Sequence, residues 1–242
     1  MSLLRLDKII SDSGNATRSE ARRLIASGRV WVDGSVVKSF DCKIDTENAE
    51  IRLDGKVIGG GSLRYFMLNK PEGVVTATED KTQRTVLDLL SEEHKRLKLF
   101  PVGRLDKDTT GLLILTNDGD FCHAVTSPKR HIKKMYEFTT GEILEPEDVD
   151  AFKTGLVLKD GTECLPAFLE IDENDNRHGF VTIFEGKYHQ VKRMLASRGK
   201  HVKLLKRISI GELSLNTSLQ PGELMELTES DVNLIVNKNV TI

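Results

Sequence analysis

Residues 103–115 have the sequence Gly103-Arg104-Leu105-Asp106-Lys107-Asp108-Thr109-Thr110-Gly111-Leu112-Leu113-Ile114-Leu115. Polar and charged residues fill the first part and aliphatic residues the second, which is typical of a loop that leads directly into a buried β-strand. A loop carried on the edge of a rigid strand often presents catalytic or binding side chains. This stretch therefore predicts a sheet-based domain with candidate chemistry at Asp106 and Asp108.

The rest of the chain after residue 60 alternates irregularly between two kinds of segment. The β-rich runs are residues 65–68, 111–115 and 180–184, and the helical stretches are residues 85–90, 147–154 and 188–198. Because the order is irregular rather than a repeated βαβ, we expect an α+β domain with a mixed, mainly antiparallel sheet over residues 61–242.

Residues 1–60 have the pattern of a separate small module. An apolar face predicts a helix over residues 5–13, and Thr17-Arg18-Ser19-Glu20 has the form of a capping box that opens a second helix. Asp33-Gly34 lies between two β-rich runs, which indicates a hairpin. Gly59-Gly60-Gly61-Ser62 predicts a flexible linker, so we place the domain boundary between residues 60 and 61.

The 242-residue chain carries a net charge of −2, which argues against a uniformly basic nucleic-acid coat. The charges are unevenly distributed, however: residues 142–175 hold mostly carboxylates, whereas residues 186–211 hold basic residues and no carboxylate. A phosphate backbone is attracted to the second stretch. Its candidate phosphate contacts are Arg193, Arg198, Lys200, Lys203, Lys206 and Arg207.

Several classes of protein are disfavoured by composition. The three cysteines are isolated, without a CxxC pair or a histidine at metal-ligand spacing, so we expect neither a disulfide framework nor a metal site. No apolar run approaches the roughly 20 residues that span a bilayer, and the first residues lack a signal-peptide core. We expect a cytosolic protein without a membrane partner and without a cofactor.

Three interpretations compete for Asp106 and Asp108. An EF-hand is disfavoured, because its twelfth position would be Asn117 and a strand follows instead of a helix. A structural turn, in which the carboxylates accept backbone hydrogen bonds, is what local composition favours. A nucleophile that attacks a sugar carbon is the third possibility, and it would need a cationic partner to stay ionised and oriented.

Two other residues are candidates for the same site. Tyr136 lies in a strand-like stretch, where a half-buried structural tyrosine is the ordinary interpretation. On a helix over residues 188–198, Tyr188, Val191, Met194 and Leu195 would share an apolar face, with Lys192 at its edge. A lysine at such an edge can bury its stem and direct its ammonium into a cleft.

The segment from Gly103 to Gly119 resembles the signature of the RsuA-type pseudouridine synthases. Further matches in the same order are Tyr65-Phe66-Met67-Leu68-Asn69-Lys70-Pro71-Glu72-Gly73, then Lys134-Met135-Tyr136, then Glu185-Gly186-Lys187-Tyr188-His189-Gln190-Val191-Lys192-Arg193-Met194. Met135 departs from the small residue or Thr usual between the Lys and the Tyr. The amino-terminal stretch resembles the S-four RNA-binding module, and together the matches cover nearly the whole chain.

The resemblance implies an α+β fold in which a helix-helix-hairpin RNA-binding module precedes a catalytic domain of pseudouridine synthase type. It implies that Asp106 attacks the ribose of the target uridine, that Tyr136 lies against the uracil, and that Lys192 pairs with Asp106. It also implies RNA contacts; our candidates are Arg18, Arg22, Arg23, Arg29, Arg104, Arg193, Lys203 and Arg207.

The same resemblance implies an RNA partner. Residues 188–194 are more similar to the enzymes that modify small-subunit ribosomal RNA than to their large-subunit relatives. This favours 16S rRNA as the substrate, either free or in an assembling small subunit. We expect the enzyme to act as a monomer. A synthase of large-subunit rRNA, a non-catalytic ribosome-assembly factor and a glycosidase that pairs Asp106 with a second carboxylate remain alternatives.

Overall fold

The computed structural model describes residues 3–46, 49–58 and 63–236, and their contacts form two compact units. The smaller unit comprises the described residues of Met1–Arg64 together with Leu89–Phe100, and the larger comprises those of Tyr65–Asp88 and Pro101–Ile242. The predicted linker Gly59-Gly60-Gly61-Ser62 lies outside the described residues. Among the described helices, none has the length and apolar character needed to cross a membrane.

The smaller unit contains three short helices and six short strands. The helices are α1 (Leu6–Asp12), α2 (Arg18–Ala26) and α3 (Glu92–Arg96), and the strands are β1 (Leu3–Arg5), β2 (Val30–Val32), β3 (Ser35–Val36), β4 (Lys43–Asp45), β5 (Ile51–Leu53) and β6 (Lys56–Val57). Strands β3-β2-β5-β6 form one sheet and β1-β4 a separate ladder. Aliphatic residues of α1, α2, β2 and β5 pack together into its core.

Local sequence explains how these elements begin and turn. Thr17 and Glu20 form the predicted capping box, in which each side chain accepts a hydrogen bond from the other residue's backbone N–H. Asp33 and Gly34 both adopt positive φ, at 47° and 78°, the backbone combination that a two-residue hairpin turn requires. The helix-helix-hairpin order predicted from the sequence is therefore confirmed.

The larger unit is built on one mixed sheet. Its strands are β7 (Tyr65–Lys70), β9 (Thr110–Thr116), β10 (Lys134–Thr140), β13 (Phe168–Ile171), β14 (His178–Ile183), β15 (Val202–Ile210), β16 (Leu213–Ser214) and β17 (Leu224–Glu226); β8 (Phe100–Pro101) precedes β9, and β11 (Leu156–Val157) and β12 (Glu163–Cys164) form a separate hairpin. The order across the sheet is β13-β14-β10-β15-β9-β7-β17. Neighbouring strands in this order are antiparallel except β15 and β9, so the predicted mixed, mainly antiparallel sheet is confirmed.

Helices flank this sheet in an irregular sequence order. They are α4 (Gly119–Thr126), α5 (Pro146–Thr154), α6 (Gln190–Ser197) and α7 (Glu229–Val236), with short 3-10 helices at Val86–Leu89 and Pro128–Arg130. The helix expected over residues 85–90 is thus a 3-10 turn. One apolar cluster packs β7 and β9 against α4 and α7, with Met67, Ile114, Phe121 and Ile235 among its buried members.

The parallel pairing of β9 with β15 joins the two halves of the sheet. It is short: Thr110 lies opposite Lys206 and Gly111 opposite Arg207. A Cβ atom on Gly111, whose φ is +96°, would lie 2.3 Å from the carbonyl oxygen of Arg207. The strands can approach this closely because residue 111 has no side chain. We call these two residue pairs the β9–β15 junction.

Candidate active site

The loop between Val102 and β9 is fixed through its backbone. The hydroxyl of Thr76 donates to the carbonyl oxygen of Leu105 at 2.8 Å and accepts from the amide of Leu105 at 3.2 Å. The amide of Thr109 donates to the carbonyl oxygen of Asp106 at 3.1 Å, which closes a tight turn. Since a loop held at several points keeps its side chains in one geometry, Asp106 is presented rigidly.

Lys70 binds the backbone of this loop through its ammonium group. Its fully buried ammonium donates to the carbonyl oxygens of Pro71 at 3.0 Å, Lys107 at 3.3 Å and Thr109 at 2.9 Å. Burial lowers the pKa of Lys70 to about 8, although the carboxylates of Asp108 and Asp106 oppose the shift. The resemblance covered this residue without indicating its role, because two of its three carbonyl acceptors lie in the Asp106 loop, 37 and 39 residues later in the chain, and a local pattern does not encode them.

Asp106 has a different side-chain nitrogen at each carboxylate oxygen. Lys192 Nζ lies 3.1 Å from Oδ2, and His189 Nε2 lies 3.3 Å from Oδ1. The Asp106 side chain is 26% exposed, so it is open to a substrate while it is partly withdrawn from water. The expected pairing of Lys192 with Asp106 is present in the structure, whereas the contact from His189 was not foreseen.

Lys192 contacts a second carboxylate as well. Its Nζ donates to Asp108 Oδ1 at 2.5 Å. Burial acts to lower the pKa of Lys192, but the hydrogen bonds and charges of Asp108 and Asp106 outweigh it, so the pKa lies above its ordinary value. The hydrogen bond from Lys192 in turn holds the pKa of Asp108 below its ordinary value. The lysine therefore remains protonated at neutral pH and supplies a permanent positive charge beside Asp106.

Tyr136 lies in a row of residues across the middle of the sheet. It is opposite Arg207 on β15, and Arg207 is opposite Gly111 on β9. Tyr136 is 8% exposed and Arg207 is 2% exposed, with the guanidinium carbon 6.0 Å from the centre of the tyrosine ring. Arg207 Nε also donates to the carbonyl oxygen of Leu112 at 2.8 Å, which ties Tyr136 to the strand that follows the Asp106 loop.

Helix α6 begins later than the sequence predicts. Its first residue is Gln190, and His189 before it has φ 48° and ψ 34°, in the left-handed region. Tyr188 therefore lies outside the helix and is 75% exposed, so its predicted place on the apolar face is wrong. Val191, Met194 and Leu195 do form the buried face, as expected.

The predicted phosphate contacts of the larger unit occupy different surroundings. Arg104 and Lys203 are exposed, and Arg193 pairs with Asp160 at 2.5 Å. Arg207 is enclosed, so the prediction that it belongs to the surface cations reached by a phosphate is wrong. The other basic residues are Lys206, which is half-buried, and Arg198 and Lys200, which both pair with the buried Asp148.

The arginines of the smaller unit are organised by carboxylates. Arg18 and Arg22 both contact the buried Asp7, at 3.5 and 2.9 Å, and Arg5 contacts it at 3.0 Å. Arg29 forms two hydrogen bonds to Asp54, and Arg23 is exposed. In the part of the chain that the structure describes, no group of three or more His, Cys, Asp or Glu side chains is arranged to hold a metal ion.

Comparison with known families agrees with the fold. The family model described as RNA pseudouridylate synthase matches residues 64–197. The chain belongs to this family. A second model, the S4 domain, matches residues 4–46 of this pseudouridylate synthase family member and covers α1, α2 and the first hairpin.

Relatives of this RNA pseudouridylate synthase match over almost its whole length. An uncharacterized RNA pseudouridine synthase of Bacillus subtilis is 42% identical over 96% of this chain and 98% of its own. The ribosomal small subunit pseudouridine synthase A of Vibrio parahaemolyticus is 42% identical, and that of Escherichia coli strain K12 is 40% identical. These two matches cover 97% and 96% of this chain and 100% of each relative. A crystal structure of a pseudouridylate synthase superposes with a TM-score of 0.68 at 39% identity, over 96% of this chain and 100% of that one.

Proposed function

We propose that this chain converts a uridine of ribosomal RNA, specifically 16S small-subunit rRNA, to pseudouridine, with Asp106 as the nucleophile. The observation that carries the proposal is the position of Asp106, which lies on a backbone-anchored loop with Lys192 at one carboxylate oxygen and His189 at the other. The small-subunit choice is supported by the relatives that carry that name at 40–42% identity over nearly the whole chain.

The proposed reaction exchanges one glycosidic bond for another. A carboxylate oxygen of Asp106 bonds to the anomeric carbon of the ribose, and the bond from that carbon to N1 of uracil breaks with its electrons leaving on the base. The base rotates, C5 bonds to the anomeric carbon, and the Asp106 carboxylate leaves. C5 then loses its proton and N1 gains one, so no electron donor or acceptor is consumed.

Each neighbouring side chain has a proposed part in this sequence. Lys192 places a positive charge 3.1 Å from the Asp106 carboxylate, where it offsets part of the cost of withdrawing that group from water. Tyr136 presents an aromatic ring to a uracil that has left its stack. Arg207 is a support for Tyr136 rather than a contact to the RNA backbone.

RNA contacts are proposed for both units. Arg18 and Arg22 share the single negative charge of Asp7 with Arg5, so their cluster keeps an excess of positive charge for phosphates. Arg23, Arg29, Arg104, Arg193 and Lys203 are the other proposed phosphate contacts. Arg29 and Arg193 would exchange their carboxylate partners for phosphate oxygens.

We also propose that residues 1–60 act as the RNA-binding module and residues 61–242 as the catalytic domain. The S4 match over residues 4–46 and the synthase match from residue 64 onward support this division. The proposed partner is small-subunit rRNA, free or in an assembling particle, and the protein acts as a monomer in the cytosol, where bacterial ribosomes form.

The decisive experiment measures tritium release from unmodified small-subunit rRNA labelled at C5 of uridine, since pseudouridine formation expels that atom. We expect release with the parent protein and none above background with Asp106→Asn. Asp108→Asn is the matched control, because it removes the other carboxylate on Lys192; we expect it to lose far less activity. An Asp106→Asn protein as active as the parent would exclude the proposed mechanism.

Three other outcomes identify the competing functions. Release from large-subunit rRNA alone would assign the chain to that substrate. Salt-sensitive RNA binding without release would indicate an assembly factor. Free uracil without a new carbon–carbon bond would indicate a glycosidase.

A further inference from the structure

Tyr188 and His189 form an aromatic pair directly beside the nucleophile. Their rings are parallel within 17°, with centroids 3.8 Å apart. His189 Nε2 lies 3.3 Å from Asp106 Oδ1, whereas Tyr188 is 75% exposed. One face of the tyrosine ring therefore covers the histidine. The histidine contacts Asp106, and the tyrosine next to it is exposed to solvent.

The position of this pair is held by the turn that precedes α6. The buried Gln190 donates to Glu185 Oε1 at 2.8 Å and accepts from the amide of Lys187 at 2.9 Å. Arg193 donates through its amide to the carbonyl oxygen of His189 and through its side chain to that of Tyr188. A histidine in the left-handed region is unfavourable by itself, so these bonds maintain a conformation that the helix would not produce alone.

Exposure of the tyrosine ring is the feature that needs a function. Tyr188 is 75% exposed, although the sequence of α6 offers an apolar face on which residue 188 could have packed. Instead the left-handed turn at His189 places the ring outside the core, parallel to a histidine that contacts the nucleophile. An exposed, rigidly held aromatic face is the arrangement with which proteins stack single-stranded bases.

We propose that Tyr188 stacks against a nucleobase adjacent to the target uridine, and that His189 positions Tyr188 relative to Asp106. The inference rests on the proposed function. When the target uridine leaves its stack for the site at Asp106 and Tyr136, its neighbour loses a stacking partner. Tyr188 offers that neighbour a replacement one residue away from the side chain that contacts Asp106. The ring recognises a π-face and not a particular base, so it contributes register and affinity more than sequence preference.

The test is a double-mutant cycle between the tyrosine ring and the RNA base. The protein variants are Tyr188→Leu, which keeps apolar bulk without a ring, and Tyr188→Phe, which keeps the ring. The RNA is a small-subunit rRNA fragment around the uridine that the parent modifies, intact or with an abasic nucleotide on its 5′ or 3′ side. Dissociation constants and single-turnover rates of pseudouridine formation are measured for every combination.

We expect Tyr188→Leu to weaken binding of the intact fragment about tenfold with a much smaller change in the single-turnover rate of the bound complex, and Tyr188→Phe to restore binding. One of the two abasic fragments should bind the parent about tenfold more weakly than the intact fragment does. Tyr188→Leu should bind that abasic fragment and the intact fragment equally well, because the ring that the base would stack on is gone. Phe168→Leu, which alters another exposed aromatic residue on β13, controls for general surface effects and should bind like the parent.

The inference is overturned if the loss of binding caused by Tyr188→Leu simply adds to the loss caused by each abasic nucleotide. It is also overturned if Tyr188→Leu binds the intact fragment as tightly as the parent does. Either result leaves the proposed function intact if pseudouridine still forms. Failure of the parent to form pseudouridine in any ribosomal RNA is a different result, because it contradicts the proposed function itself.

Discussion

Lys192 contacts two carboxylates with one ammonium, and this sharing defines the charge of the site. Asp106 and Asp108 are two residues apart on a loop, and Lys192 Nζ lies 3.1 Å from the carboxylate of the first and 2.5 Å from that of the second. The hydrogen bond from Lys192 holds the pKa of Asp108 below its ordinary value. Asp108 is 65% exposed, so it directs Lys192 while leaving the less exposed Asp106 for the substrate.

Replacement of Lys192 tests whether this charge serves catalysis. We expect Lys192→Met to lower kcat on the order of 10²-fold, because a preorganised charge next to the reacting group is lost, and to change RNA binding little. Lys192→Arg keeps the charge and should retain much of the activity. Single-turnover rates and dissociation constants measured on the same RNA separate the two effects. Equal kcat values for the Met and Arg variants would contradict the assigned role.

At the scale of the elements, the β9–β15 junction brings the Asp106 loop and Tyr136 to the same part of the sheet. Gly111 permits it, since a Cβ there would meet backbone atoms of Arg207 at 2.3 and 2.9 Å and neither strand can yield by rotating a side chain. We expect Gly111→Ala to destabilise the larger unit by about 3 kcal/mol through overpacking and backbone strain, and to reduce activity further than the stability loss explains.

Gly222→Ala is the matched control for the junction. Gly222 also has a positive φ, +91°, but a Cβ there would meet nothing within 4 Å. It should therefore lose about 1 kcal/mol from backbone strain alone. Denaturant unfolding of both variants gives the comparison, and equal losses would show that the close approach at Gly111 is unimportant.

Periodicity and capping residues predicted several of the elements, because those signals are local. The strands that became β7, β9 and β14 and the helices α1, α2 and α5 all follow from patterns within a few residues. The start of α6 could not be predicted this way, because the left-handed turn at His189 depends on Glu185 and Gln190 bonding across the turn. The apolar pattern of residues 188–195 is continuous and gives no sign of it.

The residues of the candidate site likewise divide into those that the sequence predicted and those that it did not. Asp106, Tyr136 and Lys192 were predicted through a family resemblance, and local chemistry alone left Asp106 as a turn residue. The enclosure of Arg207 was missed, because the alternation of a strand does not say which face is covered when neighbouring strands are unknown. Lys70 and His189 acquire their contacts to the Asp106 loop across separations of 37 residues or more, which no local pattern encodes.

At the scale of the whole molecule, each compact unit buries a carboxylate among basic side chains, Asp7 in the smaller unit and Asp148 in the larger. The smaller unit combines its apolar core with Asp7, a fully buried carboxylate that accepts hydrogen bonds from Arg5 and Arg22. Residues Leu89–Phe100 belong to this unit, although they follow β7 in the chain. Nothing in a short helical segment indicates which unit it joins, so this grouping had no sequence signal.

The Asp7 cluster predicts a specific acid sensitivity. Burial acts to raise the pKa of Asp7, but hydrogen bonds from Arg22 and Arg5 and the charge of Arg18 outweigh it, so the pKa lies below its ordinary value. A carboxylate with a lowered pKa contributes stability above its unfolded pKa of about 3.9, and that stability is lost as pH falls through the folded pKa. We expect Asp7→Asn to destabilise the smaller unit by about 2 kcal/mol at pH 7.

Unfolding followed at several pH values checks this prediction. The difference in free energy of unfolding between the parent and Asp7→Asn should shrink as pH falls below about 4, since the parent then loses the same charge. Asp54→Asn, which breaks the exposed pair with Arg29, serves as the control and should destabilise the smaller unit far less than Asp7→Asn does. A difference that does not change with pH would show that the Asp7 charge contributes nothing to stability.

The β9–β15 junction also has a consequence for the order of events during synthesis and folding. The side chain of Arg207 bonds to a carbonyl 95 residues earlier in the chain, so the junction closes a very long loop. Contacts of that separation form late, after local hairpins, because the entropy of closure must first be overcome. A nascent chain that ends before β15 therefore already contains the nucleophile, Tyr136 and α6, but it lacks the strand that joins β9 to β10. Catalytic competence arrives in a single late step, when the two halves of the sheet meet.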